Sequence, residues 1–211
     1  MICVSLANQD ILSCLHQSGE FPIVEIRLDL CSLDTEQIAL IGQAAHQWVT
    51  TCRPGTLDLK QRIIRMAAAI KTGAAYADLE YESPAEYKEP LIRMARKEHC
   101  KIIISWHDFE GTPDEATLDQ IILESRRMGA DLVKIVPTIH TPGEAARVMN
   151  LYQRHSDLIA FGMGEIGKIS RIAAPLLGAP FTYACASEKT RIAPGQLTYK
   201  DLKTIYSKIL S

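Results

Sequence analysis

The 211-residue chain is 47% hydrophobic and 23% charged, and 23 Lys and Arg against 25 Asp and Glu leave a formal net charge of −2. That balance, with the arginines scattered along the chain, gives no electrostatic basis for nucleic acid or an anionic membrane surface as partner. The longest apolar runs fall far short of a membrane span, and the chain enters ICVSLA directly, without a charged and apolar leader.

Six cysteines, Cys3, Cys14, Cys31, Cys52, Cys100 and Cys185, include no CxxC pair and no zinc-finger spacing. Several lie in apolar runs, where a free thiol behaves as a small hydrophobe, so a reducing cytoplasm is expected. In chain order the strand candidates are ICVSL from Ile2, PIVEIRL from Pro22, WVTTCR from Trp48, YADLEY from Tyr76, KIIISWH from Lys101, LVKIVP from Leu132, LIAFGM from Leu158 and FTYACA from Phe181. Each is rich in Ile, Val, Thr or aromatics and bounded by polar residues or glycine.

Helical patterns separate them. TEQIALIGQAAHQ and LKQRIIRMAAAIKTG carry apolar residues at three- and four-residue spacing, the second ending at Gly73 as a C-terminal cap. SPAEYKEPLIRMARKEHC opens on Ser83-Pro84, read as an N-cap followed by proline at the first helical position. TPDEATLDQIILESRRMG and TPGEAARVMNLYQRH open on Thr-Pro in the same way, and TYKDLKTIYSKIL closes the chain. Eight strands alternating with about eight helices predict parallel strands with helices outside, and that number predicts a closed (β/α)₈ TIM barrel over residues 1–211 as a single domain. A doubly wound sheet would place a glycine-rich turn after its first strand, where SLANQD stands instead.

In a barrel, polar residues at the C-terminal ends of the strands mark the site. Glu25, Arg27 and Asp29 alternate along the second strand and share one face, with an internal Glu25–Arg27 ion pair as the structural alternative. Arg53 ends the third strand, Asp78 and Glu80 the fourth, and Ser105, His107 and Asp108 the fifth. Asp108 reads as a cap for the loop FEGTPDE. His107 ends a strand whose preceding residues are mostly apolar or small, whereas His16, His46, His99, His140 and His155 read as helix or loop residues.

Lys134 is the sharpest signal, a lysine flanked by Leu132, Val133, Ile135 and Val136 in a strand expected to be buried. Burial disfavours an ammonium, which would leave an amine nucleophilic toward a carbonyl; the alternative is an internal ion pair with Glu25 or Glu80. The seventh strand runs into GMGEIGKISR, a glycine-rich loop of the kind that cradles phosphate in barrels, although Arg171 one turn further suits a carboxylate better. APGQL, with Gln196, reads as a lid or rim after the eighth strand.

Together EIRLD (Glu25 to Asp29), ADLE (Ala77 to Glu80), ISWHDF (Ile104 to Phe109), VKIVP (Val133 to Pro137), ISR (Ile169 to Arg171) and APGQ (Ala193 to Gln196) resemble type I 3-dehydroquinate dehydratase, a (β/α)₈ lyase of the shikimate pathway. The resemblance implies dehydration of 3-dehydroquinate to 3-dehydroshikimate. Lys134 would be the Schiff-base lysine, His107 the general acid/base, and Glu80 the group that orients and tunes His107. It implies Glu25, Arg27 and Arg53 at substrate hydroxyls and pocket wall, Arg171 at the carboxylate, Gln196 on the lid, and Ser5 and Met163 lining the pocket. No metal or organic cofactor is implied, because the protonated imine is the electron sink, and a homodimer is the commonly associated assembly.

Two departures stand out: Ile192 where the family often has serine, and Trp106 before His107, which strand alternation points away from the pocket. A class I aldolase would use the same lysine but wants a phosphate cradle. A metal-dependent isomerase would draw Glu25, Glu80, His107 and Asp108 together. A non-enzymatic binding barrel would tolerate loss of Lys134 or His107, and both are present.

Overall fold

Eight parallel strands, β1 (Ile2–Leu6), β2 (Val24–Arg27), β3 (Trp48–Thr51), β4 (Tyr76–Glu80), β5 (Lys101–Asp108), β6 (Leu132–Pro137), β7 (Leu158–Ala160) and β8 (Thr182–Cys185), form one sheet in the order β7-β6-β5-β4-β3-β2-β1-β8. The computed structural model describes residues 1–7 and 10–210, so Asn8 and Gln9 of the SLANQD turn and the terminal Ser211 lie outside the described residues. The sheet curls into the nearly closed wall of a (β/α)₈ barrel, β1 pairing β8 on one side and β2 on the other. The ladder ends at β7 and β8, both cut short relative to LIAFGM and FTYACA. β7 stops before Gly162, where a side chain on the glycine would meet Ile139 at 2.0 Å.

Helices α1 (Ile11–Glu20), α2 (Thr35–Ala44), α3 (Leu59–Lys71), α4 (Ala85–Lys97), α5 (Glu115–Arg127), α6 (Pro142–Arg154), α7 (Lys168–Ala173) and α8 (Tyr199–Ile209) cover the outside. Their starts are set locally. Asp34, Asp58 and Thr141 each accept a backbone N–H three residues on and complete a capping box with Gln37, Gln61 and Glu144, which satisfies donors that a helix otherwise leaves orphaned. Gly73, just beyond α3, takes a φ of 95° that only glycine adopts without strain.

Two expected caps are corrected. Ser83 is still in a turn, its N–H donating to the Glu80 carbonyl at 3.1 Å, and Pro84 occupies the cap position without a side-chain bond. Thr112 spends its hydroxyl on the Thr138 carbonyl at 2.7 Å, tying the loop to the end of β6, so Asp114 caps α5 instead.

Alternation sorts the strand residues. One parity packs against the helices, in clusters that include Val24, Ile26, Ile102 and Ile104 on one side and Val133, Ile135, Leu118 and Ile122 on the other. The opposite parity fills the barrel, whose floor is apolar: Cys3, Val49, Ile103, Leu132, Ile159, Phe181 and Tyr183. Two residues further along the strands the interior turns polar, with Ser5, Glu25, Thr51, Asp78, Ser105 and Lys134 all buried. A polar layer above a packed floor places the chemistry at the C-terminal ends of the strands. Trp106 points outward as alternation requires and packs among the helix-facing residues. No helix among the described residues is long and apolar enough to cross a membrane.

Candidate active site

The polar layer opens into a cavity of about 420 Å³ at the C-terminal face. Lys134, His107, Glu80, Arg53, Glu25 and Arg27 line it from the strands. Ser5, Met163, Arg171 and Gln196 complete the ten residues that the sequence singled out, and all ten face this one space. Phe161, Tyr183, Val136 and Phe109 add apolar surface, and Ile192 and Ala193 bring in the segment after β8.

Lys134 has a carboxylate partner that the sequence did not assign. Its Nζ lies 3.0 Å from Asp78 Oδ2 and 3.9 Å from Glu25 Oε1, and sits 4.1 Å from the centroid of the Tyr183 ring. Of the two ion-pair partners expected, Glu25 is present at the longer distance and Glu80 is not a partner. Asp78 is wholly buried and multiply held, its Oδ1 accepting from Arg53 Nη2 at 2.9 Å and from Ser105 Oγ at 2.6 Å. Burial alone would raise this carboxyl, but Arg53, Lys134 and the Ser105 hydroxyl overcome it and hold Asp78 well below the usual carboxylate range. Burial likewise works against the Arg53 guanidinium, and Asp78, Glu80 and Glu25 more than offset it.

Glu25 accepts from Ser5 Oγ at 2.7 Å and Thr51 Oγ1 at 2.9 Å. The internal Glu25–Arg27 pair does not form, because Arg27 turns to Asp29, donating from Nε at 3.0 Å and Nη2 at 2.6 Å. β2 ends at Arg27, so Asp29, expected on the strand, sits in the turn just beyond it, and the bidentate fork reaches it there. Asp108 caps its loop as read, accepting from the N–H groups of Glu110 at 2.8 Å and Gly111 at 3.2 Å. Glu25, Glu80, His107 and Asp108 therefore do not converge as a ligand set, and among the described residues no cluster of three or more His, Cys, Asp or Glu is arranged to hold a metal ion.

Glu80 departs from the role that the resemblance implied. Its carboxylate lies 3.5 Å from Arg53 Nη1 and 3.7 Å from Arg62 Nη2, and no hydrogen bond among the described residues joins it to His107. Two guanidiniums are stronger partners for a carboxylate than a neutral imidazole. The His107 ring instead stacks on Phe109, with centroids 6.4 Å apart and planes 14° apart. Burial first, then the positive charges of Arg53 and Lys134, hold the His107 imidazole well below its ordinary pKa, with Asp78 opposing. The ring is therefore neutral at neutral pH, able to accept a proton.

Arg171 is different in kind. Its side chain is 2% exposed, it lies over the Phe161 ring at 4.4 Å, and no hydrogen bond or ion pair among the described residues meets its guanidinium; the buried Nε has no partner at all. Burial without a carboxylate pushes it down to about 10. A buried guanidinium in this condition bears its desolvation without a compensating charge. The glycines before it serve packing rather than a phosphate cradle. A side chain on Gly167 would meet the Met163 carbonyl at 2.5 Å, and Ser170 closes the turn by donating to the Gly167 carbonyl and accepting from Gly162 N–H. Gln196 is buried in the segment after β8, its Oε1 accepting from Ile192 N–H at 3.0 Å.

Fold and site together define an α/β-barrel enzyme with a lysine-centred pocket and a buried arginine that meets no carboxylate among the described residues. The sequence pattern of type I 3-dehydroquinase matches residues 2–210, and the chain belongs to that family, the type I dehydratases of aromatic biosynthesis. The 3-dehydroquinate dehydratase of Desulfotalea psychrophila is 33% identical over 223 residues, covering 98% of this chain and 97% of its own. That of Thermococcus gammatolerans is 34% identical over 195 residues, covering 90% and 88%. The structure of the type I enzyme of Clostridium difficile shares the fold with a TM-score of 0.86 at 21% identity, covering 99% of this chain and 91% of its own.

Proposed function

We propose that this chain removes water from 3-dehydroquinate to give 3-dehydroshikimate through an imine on Lys134, with His107 moving the protons. The observation that carries the reading is the convergence of Lys134, a neutral His107 and an unpaired Arg171 on one cavity. Arg171 receives the carboxylate and so fixes which way the ring enters. The Lys134 amine adds to the ketone and expels water, leaving an iminium that acidifies the adjacent C–H bond. The imidazole takes that proton and an enamine forms. The enamine electrons then expel the β-hydroxyl, His107 returns the proton to it as water leaves, and hydrolysis of the iminium frees the lysine.

Arg27, Arg53 and Glu25 meet the ring hydroxyls, while Ser5 and Met163 shape the wall. Gln196 closes the lid through the Ile192 backbone. Glu80 acts on this site through Arg53 and Arg62, not by touching His107. The iminium is the electron sink, so no metal or organic cofactor enters the scheme. We extend the same reading to a cytoplasmic homodimer. Six buried free thiols support a reducing compartment, and the dimer, which rests on the family resemblance, is checked by sedimentation equilibrium.

Borohydride added during turnover is the direct test. It should inactivate the enzyme and add ligand mass to the peptide that contains Lys134. Mass on another lysine, or none, would remove the imine mechanism.

A further inference from the structure

Lys134 Nζ has two neighbours that the reaction scheme leaves unused. Asp78 touches it at 3.0 Å from within the barrel wall and is not among the residues that line the cavity, so substrate does not reach it. Its other oxygen is fixed by Arg53 and Ser105, which stops the carboxylate from turning away. From β8, the face of Tyr183 covers the same nitrogen at 4.1 Å. The Tyr183 hydroxyl is buried with no hydrogen-bond partner among the described residues, so it is the ring that this position uses. Glu25, the next carboxylate at 3.9 Å, is committed to Ser5 and Thr51.

In an imine mechanism the lysine nitrogen turns cationic as the iminium forms. A fixed carboxylate and an aromatic face stabilise that charge where it develops, with no reorganisation at the moment of reaction. We propose that Asp78 and the ring of Tyr183 form a preset cradle for the cationic nitrogen of Lys134, Asp78 acting as a positioning residue outside the cavity. This rests on the imine reading above.

The test compares wild type, Asp78→Asn, Tyr183→Phe and Tyr183→Leu for kcat, KM and the fraction trapped on Lys134 by borohydride at saturating 3-dehydroquinate. Asp78→Asn keeps the shape and removes the charge. It should lower kcat about 10–100-fold, the loss expected for a charge-assisted partner, with KM within about threefold and a smaller trapped fraction. Tyr183→Leu, which removes the ring, should lose roughly 3–30-fold in kcat, and Tyr183→Phe, which keeps the ring, should lose less than Tyr183→Leu.

Normal kcat and trapping in folded Asp78→Asn, or in Tyr183→Leu, overturns the cradle. If Asp78→Asn fails to fold, the Phe and Leu pair at Tyr183 decides by the same criterion. Wild type that traps no mass on Lys134 sinks the imine reading and the cradle with it. Wild type that traps normally beside unaffected variants removes the cradle alone.

Discussion

Gly195 and Gly164 meet backbone to backbone at the rim of the cavity. Gly164 N–H donates to the Pro194 carbonyl at 3.3 Å, and a Cβ on Gly195 would stand 2.2 Å from the Gly164 carbonyl oxygen. Gly195 also holds a φ of 72° and Gly164 one of 83°. The segment after β8 that carries Gln196 is thereby latched to the loop that carries Met163 and leads to Arg171.

Gly195→Ala should therefore break the latch rather than the barrel. A clash with backbone cannot be relieved by a rotamer, and the left-handed conformation adds about 1–2 kcal/mol for a residue with a Cβ. The expected result is a KM raised several-fold, in step with a displaced lid, and a small drop in thermal stability. Kinetics and melting temperature of the one variant check it, and an unchanged KM would detach the lid from substrate binding.

Arg171→Ala should separate binding from stability. Loss of a charge-assisted bond to the substrate carboxylate costs roughly 1.5–3 kcal/mol, or about ten- to a hundredfold in KM, with a smaller change in kcat. The ligand-free protein should not be destabilised as a broken buried ion pair would be, since no carboxylate among the described residues pairs with the guanidinium and would be left stranded. Steady-state kinetics and urea unfolding measure the two halves. An unchanged KM would put the carboxylate elsewhere.

Much of this was legible in the sequence, for a definite reason. Strand alternation and the polar ends of the strands fix which residues face the barrel interior, and that sufficed to gather Lys134, His107, Arg53 and Glu25. Which interior groups pair is another matter. Asp78 meets Lys134 across β5, through a register that sets Asp78 beside Ile103 and Ser105 beside Lys134. Local pattern does not carry that register, so the lysine's carboxylate went unassigned. The same holds for Glu80, which could be placed on the right face but not matched to Arg62, a buried residue of α3. Arg62 had no signal at all, because its guanidinium is spent mainly on the Cys52 carbonyl at 2.8 and 3.0 Å. The helix starts at Ser83 and Thr112 failed because a side chain that can cap can equally serve a neighbouring loop.

The depressed His107 pKa gives a pH dependence of stated sign. The folded imidazole resists protonation, whereas in the unfolded chain it titrates near 6.5. Between its folded value and 6.5 the unfolded chain binds a proton that the folded one does not. The stability due to neutral His107 is thus present above the unfolded value and is lost as pH falls through that window, at up to about 1.4 kcal/mol per pH unit. NMR titration should show the His107 ring still neutral at pH 6, and the unfolding free energy of His107→Gln should fall less steeply than wild type below pH 6.5. A ring that titrates at or above the ordinary value contradicts this.

The last prediction separates the two central residues. Lys134→Ala has no amine with which to form an iminium, so turnover and borohydride trapping should both vanish. The variant should still fold if Asp78 keeps Arg53 and Ser105 as partners. His107→Ala leaves the lysine, its carboxylate and Arg171 in place, so the imine can form while proton abstraction stalls. Acid/base groups typically contribute about 10²–10⁴-fold, and here one imidazole serves at least two transfers, which places the loss toward the upper end. Among the described residues no second imidazole lines the cavity; the other titratable side chains there are Lys134 itself, Tyr183, carboxylates and arginines. Of those carboxylates, Glu25 is engaged by two hydroxyls and Glu80 by two guanidiniums, which leaves neither free to replace the base. Intact mass of His107→Ala incubated with 3-dehydroquinate, with and without borohydride, should show an accumulated adduct and little product. Near-normal turnover would assign the proton transfers to another group and leave His107 as part of the wall.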